Sequence, residues 1–383
     1  MSTRTQYQVV VCGGGVAALE TAASLREHAG DRVALTLIAP EPEFVYRPLA
    51  PASAFGYPDP PRVPLDQIAA GVDATVIGDR VSWIDRSAGV VHTDAGAGVA
   101  YDALIVCVGA TARVVYEHAL TIDGRATGEL DALIAGVQTG EVRRVAFVVH
   151  DRPSWPLPLY EAALMSATLA AEAGRTPELT IVTPESWPLE VFGEYAGRQM
   201  DALLAELGFD LFTCARAEVP DRHQVIVGRA DRGMEQQPPR RRVDRVVALP
   251  ELVGPHLRGL PCADHGFIPT DHYGRVRGEE RVFAAGDATD FAVKHGGLAA
   301  QQADVVARGV AALAGAPVSP QPFRPKLEGL LLTGGVPRFL SARLVGGHAF
   351  GSEVLADWPR APQPKIVAAH LNDLLDPRRA PPR

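Results

Sequence analysis

Apolar positions along the chain fall into short unbroken runs and longer stretches with helical spacing, and the two kinds alternate. Tyr7–Cys12 (YQVVVC) reads as a buried strand, residues 16–28 as an amphipathic helix, and residues 33–39 as a second strand, which together predict a βαβ unit. A second alternating unit opens at residues 145–150, with a helix expected over about 159–173, a strand over 179–183 and a helix over about 195–207. Between the two units, residues 40–64 are so broken by Pro and Gly that no regular element is expected. Short β-like runs follow at 75–77, 80–84 (which includes Val81), 90–93 and 101–108. Near the end, residues 281–285 read as a strand and 296–314 as an Ala-rich helix stopped by Gly315 and Pro317. The pattern implies an α/β chain of two similar halves followed by a C-terminal appendage over about the last 65 residues. No repeat of 20–50 residues is visible beyond the two similar halves.

Glycines mark where these elements meet chemistry. Gly13-Gly14-Gly15-Val16-Ala17-Ala18 has the form G-x-G-x-x-A between a strand and a helix. The first glycine permits a tight turn, the second lets backbone approach a pyrophosphate, and the small last residue lets helix and strand pack closely. The acid expected to read a ribose is displaced to Glu41, with Glu43 as its rival; an ordinary solvated loop is the alternative for both. Arg47-Pro48 follows, close enough in sequence to approach the same ligand. Two further small-residue turns end apolar strands: Val108-Gly109 after YDALIVC, and Gly286-Asp287 after VFAA. Seven residues beyond Asp287 comes Lys294-His295-Gly296-Gly297-Leu298, which opens the long helix.

The order of these three motifs along residues 7–315 resembles the two-dinucleotide-binding-domain flavoproteins of the pyridine nucleotide-disulfide oxidoreductase superfamily. The resemblance implies two Rossmann-like domains, one of the FAD type over 1–115 and 255–317 and one a degenerate NAD type over 116–254, plus a small C-terminal domain over 318–383. It also implies bound FAD, held by Gly13, Gly14, Gly15, Val16, Ala17, Ala18, Glu41, Arg47, Pro48, Val81, Val108, Gly109, Gly286, Asp287, Gly296, Gly297 and Leu298. In this family the Asp of the GD motif lies on the ribityl chain, and the helix opened by Gly296 directs its positive end at the flavin.

The second unit departs from the NADH-using members. No glycine occurs between Gly140 and Gly174, and the turn reads Asp151-Arg152-Pro153-Ser154-Trp155-Pro156. Three prolines between 153 and 158 remove amide donors that a second pyrophosphate needs. This loop, with Tyr160-Glu161 after it and a Lys-then-Gly segment after the GD motif, resembles the sulfide:quinone oxidoreductase and flavocytochrome c sulfide dehydrogenase branch. That branch carries a redox cysteine in the loop and another near the C-terminal domain. Here the loop has Ser154, and no cysteine follows Cys262. Cys12 and Cys107 fall in expected core strands and read as inert thiols; Cys214 and Cys262 have no predictable partner.

Composition narrows the classes further. Hydrophobic residues make up 47% and charged residues 21%, enough for sizeable cores and too ordered a mixture for a disordered chain. Lys+Arg 37 against Asp+Glu 45 gives −8, which argues against nucleic acid as the main partner. Four scattered cysteines with no paired spacing argue against a disulfide scaffold or a cysteine metal site, and no metal is expected. The start of the chain runs into a strand without a signal-like segment, and no apolar run reaches the ~18 residues of a spanning helix. The reading is therefore cytoplasmic, with peripheral membrane contact left open. A stripe over 365–375 (Ile366, Val367, Leu371, Leu374, Leu375) is expected to dock as a helix on its own chain, and Arg240-Arg241-Arg242 to form a solvated hairpin. Only Lys294, Lys326 and Lys365 are lysine, so each retained lysine draws notice.

The expected function is an FAD-dependent oxidoreductase that takes two electrons from a small-molecule or redox-protein donor and passes them to a quinone, a redox protein or another acceptor. Lys294, His295 and Glu161 are the catalytic candidates, and Trp155 and Tyr160 line the position where a nicotinamide would otherwise stack. A type II NADH dehydrogenase-like enzyme and a non-catalytic FAD-containing regulatory protein are the alternatives.

Overall fold

Val9, Val10 and Val11 in the strand Tyr7–Cys12 are buried on both faces, which places that strand at the centre of a parallel sheet. The structure is a computed structural model that describes residues 6–124, 127–152, 155–229, 239–345, 348–355 and 365–375. Tyr7–Cys12 pairs in parallel with Val33–Ile38 on one side (Tyr7 opposite Val33) and with Ala103–Val106 on the other (Val9 opposite Ala103). Val282–Ala284 extends the sheet beyond Ala103–Val106, and Ala74–Ile77 beyond Val33–Ile38. The chain leaves Tyr7–Cys12 toward one side and returns on the other, so a crevice opens at its C-terminal end, above Gly13. Helices Val16–Ala29 and Gly296–Leu313 pack together on one face through Ala17, Ala18, Ala22, Ala299 and Ala303.

A second parallel sheet has the order Leu120–Thr121, Arg245–Ala248, Arg144–Val148, Glu178–Val182, Asp210–Phe212. Its switch point lies at the end of Arg144–Val148. Helix Leu157–Glu172 covers it, and the antiparallel sheet Lys326–Leu331, Arg338–Val345, His348–Leu355 packs on that helix through Leu327, Leu331 and Leu340. The antiparallel pair Thr111–Arg113 and Glu251–Val253 links the two units.

Several elements differ from the sequence expectation. Residues 40–64 contain a small antiparallel pair, Glu43–Val45 with Arg62–Pro64, and two short turns of helix, Arg47–Leu49 and Ala50–Ser53. Pro48 and Pro51 sit in the first positions of those turns, where an amide donor is not needed, and Phe44 and Tyr46 anchor the segment in the core. The same tolerance starts helix Leu157–Glu172 ahead of the expected residue 159, with Pro158 in its first turn. Arg240–Arg242 is a strand paired with Gln224–Arg229; Arg241 lies over the Phe212 ring at 5.0 Å and bonds Asp210 at 3.0 Å. The residues that join those two strands (230–238) lie outside the described residues. The apolar stripe near the C-terminus becomes helical only over Ala369–Leu374, and Ile366 and Leu371 are buried against the first unit. Among the described residues, no helix is long and apolar enough to cross a membrane.

Candidate functional site

Gly13 holds φ +130°, and a Cβ there would stand 2.3 Å from the Cys107 carbonyl oxygen, so only glycine fits where the first and second motifs meet. Its N–H donates to Ile38 O at 2.8 Å, and Cys107 N–H donates to Cys12 O at 2.7 Å, which tie three strand ends into one turn. Gly15 is different. It is exposed and extended, caps helix Val16–Ala29, and a Cβ on it would meet nothing within 4 Å among the described residues. The first-turn amides of that helix have no partner within it and face the same open side. Gly109 also borders free space, at φ +75°. A cradle of this shape, open and lined by amides, fits a pyrophosphate.

The third motif closes on the first. Gly286 (φ +77°) would place a Cβ 2.9 Å from Ala17 Cβ, and its N–H donates to Gln302 Oε1 at 2.7 Å. Asp287 is half-buried; burial raises its pKa and the Lys294 charge opposes that rise. Lys294 is itself buried. Its Nζ donates to Thr289 O at 2.5 Å and lies 3.9 Å from the Phe267 ring centre. Burial pushes its pKa down to about 8 against the pull of Asp287 and Asp290. His295 caps helix Gly296–Leu313, and its buried Nδ1 has no partner among the described residues. Burial, with Lys365 adding to it, pushes this imidazole down to about 3, so it is neutral at physiological pH. Leu298 is buried in the helix just beyond.

Glu161 lies in helix Leu157–Glu172 and is joined to Lys365 by a buried ion pair. It also accepts the Leu332 N–H at 2.8 Å. Burial raises the Glu161 pKa and lowers that of Lys365, and each opposes the other's shift. Trp155 bridges the units: its ring lies 4.5 Å from the His295 ring and 5.8 Å from the Phe192 ring. Glu41 is exposed beyond the strand Val33–Ile38, while Glu43 approaches Arg62 at 3.8 Å. Arg47 is exposed and Pro48 half-buried in the turn that follows; Val81 and Val108 pack on the core face beneath the cradle. Burial pushes the Cys107 thiol up to about 12 and the Cys12 thiol up as well, while Cys214 and Cys262 are exposed.

The second switch point is filled by protein. Glu185 stands just past Glu178–Val182, where a ribose-reading acid belongs, but its carboxylate is buried and engaged. It accepts the Tyr160 hydroxyl at 2.6 Å, the Thr183 hydroxyl at 2.8 Å and the Glu190 N–H at 3.0 Å. Arg152, in the degenerate turn, pairs with Glu251 at 2.5 Å and donates its N–H to His150 Nδ1 at 3.2 Å. Pro153 and Ser154 of that turn lie outside the described residues.

Burial lifts the Glu185 pKa from 4.5 to about 7, so the folded state binds more protons than the unfolded state between those values. Stability is therefore expected to fall as pH rises through that window, by on the order of 2–3 kcal/mol from this group. Urea unfolding of Glu185→Gln at both ends of the window checks this: the variant should lose that part of the pH dependence.

Sequence reasoning missed Lys365, Gln302, Thr289 and Phe267 as parts of this neighbourhood. The scarcity of lysine is the one signal that marked Lys365, because two of the three lysines prove to be buried.

Residues 7–143 match the family model described as pyridine nucleotide-disulphide oxidoreductase. A sulfide-quinone reductase of Aquifex aeolicus is 34% identical over 103 residues, which are 26% of this chain and 24% of that protein; the match thus spans about a quarter of that relative. Among solved structures, the sulfide:quinone oxidoreductase of Aquifex aeolicus superposes with a TM-score of 0.78 at 21% identity, over 91% of this chain and 87% of that one. A ferredoxin reductase from Rhodopseudomonas palustris superposes with a TM-score of 0.63 at 18% identity, over 88% and 82%. These likenesses show the two-unit architecture.

Proposed function

We propose that this chain, a member of the pyridine nucleotide-disulphide oxidoreductase superfamily, is an FAD-dependent oxidoreductase whose electron donor is not free NAD(P)H and whose acceptor is a quinone, a redox protein or another small oxidant. The observation that carries the reading is the close approach of Gly13 to Cys107 and of Gly286 to Ala17, which brings the three motifs together beside the open turn at Gly15, with Lys294 and His295 leading into the helix that starts at Gly296. FAD bound there supplies a two-electron carrier. The Gly15 cradle would receive its pyrophosphate, and Asp287 would accept a hydrogen bond from a cofactor hydroxyl.

The chain's own residues divide the remaining work. Lys294 is buried beside Asp287 and its pKa is lowered to about 8, so it holds or releases a proton there. His295 is neutral, so it offers a hydrogen bond rather than an imidazolium proton. Glu161 is committed to Lys365, so it holds that segment in place rather than meeting a substrate. The filled second switch point argues against tight NAD(P)H binding. The cysteine positions argue against a sulfide-type relay, because Cys12 and Cys107 are buried and no cysteine follows Cys262.

Anaerobic titration with NADH, NADPH, sulfide and a reduced quinol in parallel tests the proposal. The purified protein is expected to carry FAD and to be reduced only slowly by either nicotinamide. Rapid bleaching by micromolar NADH would favour an NADH dehydrogenase-like enzyme instead. A colourless, folded preparation that takes up no FAD would refute the central claim.

A further inference from the structure

A segment that belongs to none of the three glycine motifs packs on the start of the helix at Gly296. Residues 365–375 contact Gly296 and Gly297 and join the core of the first unit. Lys365 Nζ reaches the Glu161 carboxylate on the second unit and donates to Leu330 O of the C-terminal sheet at 2.6 Å. Ile366 N–H donates to the Tyr46 phenol oxygen at 3.1 Å, in the segment that carries Arg47 and Pro48. The Ile366 side chain fills the space above Gly296, where a Cβ would stand 2.7 Å from its Cδ1. Val367 O lies 3.6 Å from the Cβ position of Gly297. At the other end, Glu20 accepts the N–H groups of His370 and Leu371 at 3.1 and 2.7 Å, and His370 Nδ1 meets Glu27 at 3.3 Å.

We propose that Lys365 and Glu20 are positioning residues that pin this segment as a strap across the His295-Gly296-Gly297 turn and so set how tightly the cofactor is held. The proposal rests on the FAD reading above. Glu20 lies on helix Val16–Ala29, the helix whose N-terminus forms the cradle, and its buried carboxylate caps the strap's helix Ala369–Leu374. Lys365 anchors the opposite end through an ion pair with both partners buried. Such pairs are costly to desolvate and add little net stability, while breaking one side leaves an uncompensated charge, so their use here points to exact placement of the strap rather than to added stability. Glycine at 296 is explained by the same contact, because any side chain there would lift Ile366 off the helix start.

The test measures the FAD dissociation rate from the holoprotein, together with limited proteolysis within 365–375, for the wild type, Glu20→Gln, Lys365→Met and the double variant Glu161→Gln/Lys365→Met. The double variant removes the ion pair without leaving a lone buried charge, so it carries the test if Lys365→Met does not fold. Release of FAD is expected to accelerate by about tenfold or more, with cleavage of the strap accelerating in parallel. A shift in the visible flavin band of the variants is expected as well, which a merely structural role would not produce. If the wild type holds FAD and the folded variants release it at the wild-type rate, the strap proposal is overturned alone. If the wild type holds no FAD, the FAD reading falls with it.

Discussion

Gly13→Ala is expected to unfold the first unit, whereas Gly15→Ala is expected to fold and lose the cofactor. The added methyl at Gly13 would lie 2.3 Å from Cys107 O and 2.7 Å from its carbonyl carbon, both backbone atoms. Neither can retreat, because Cys107 N–H is bonded to Cys12 O and Gly13 N–H to Ile38 O. The residue also sits at φ +130°, a region that alanine avoids. Strain and overpacking at the junction of three central strands should cost roughly 3–5 kcal/mol, a large fraction of a domain's stability. Gly15 has φ −92° and ψ −171°, open to any residue, and its methyl would meet no protein atom. That methyl would instead stand in the path of the pyrophosphate and weaken FAD binding by about a hundredfold or more. Flavin content and thermal melting by circular dichroism separate the two outcomes. A Gly15→Ala protein with stoichiometric FAD would show that the pyrophosphate does not lie against this turn.

The contrast between these glycines also marks how far sequence reasoning reached. Strand–glycine–helix order predicted the first sheet and its turn at Gly13, because buried parallel strands leave unbroken apolar runs and the tight turn demands glycine, while the second sheet was legible only from its alternating strand and helix runs. That Gly13 serves close packing while Gly15 borders empty space was not visible, since the difference depends on Cys107, brought in from more than ninety residues away. The segment 40–64 shows the opposite failure. Its prolines suggested irregularity, yet Pro48 and Pro51 start short helical turns, and Tyr46 reaches the strap.

Glu161 and Lys365 lie 204 positions apart, so no local pattern could join them. Their meeting gives Glu161 an anchoring place that the aromatic-Glu motif alone did not suggest. Tyr160, expected to line a pocket, turns instead to Glu185 and packs the second switch point. The missing glycines of that turn were readable; the tyrosine and carboxylate that take up the vacated space were not, because their pairing depends on helix Leu157–Glu172 docking over the end of Glu178–Val182.

Lys294→Met is expected to slow flavin reduction by about a hundredfold and to erase a pH transition near 8, with the fold intact. The ammonium is buried, bonded to Thr289 O, placed over Phe267 and faced by Asp287 and Asp290. Burial lowers its pKa from 10.5 to about 8, so it is largely charged at neutral pH and loses its proton as pH rises past that value. A reaction that uses the positive charge is therefore fastest below pH ~8 and declines above it. The stability effect has the other sign. Between about 8 and 10.5 the unfolded chain binds the proton that the folded one has lost, so stability rises with pH across that window. Methionine removes the buried charge and should leave the neutral-pH melting point unchanged or higher, which separates a functional loss from misfolding. His295 follows Lys294 in the chain, but its imidazole is neutral down to about pH 3 and cannot produce a transition near 8. Stopped-flow reduction by whichever donor reduces the wild type, from about pH 6 to about pH 10, provides the measurement. If the variant keeps the transition near 8, the proton in question belongs to another group and Lys294 serves only to pack against Phe267.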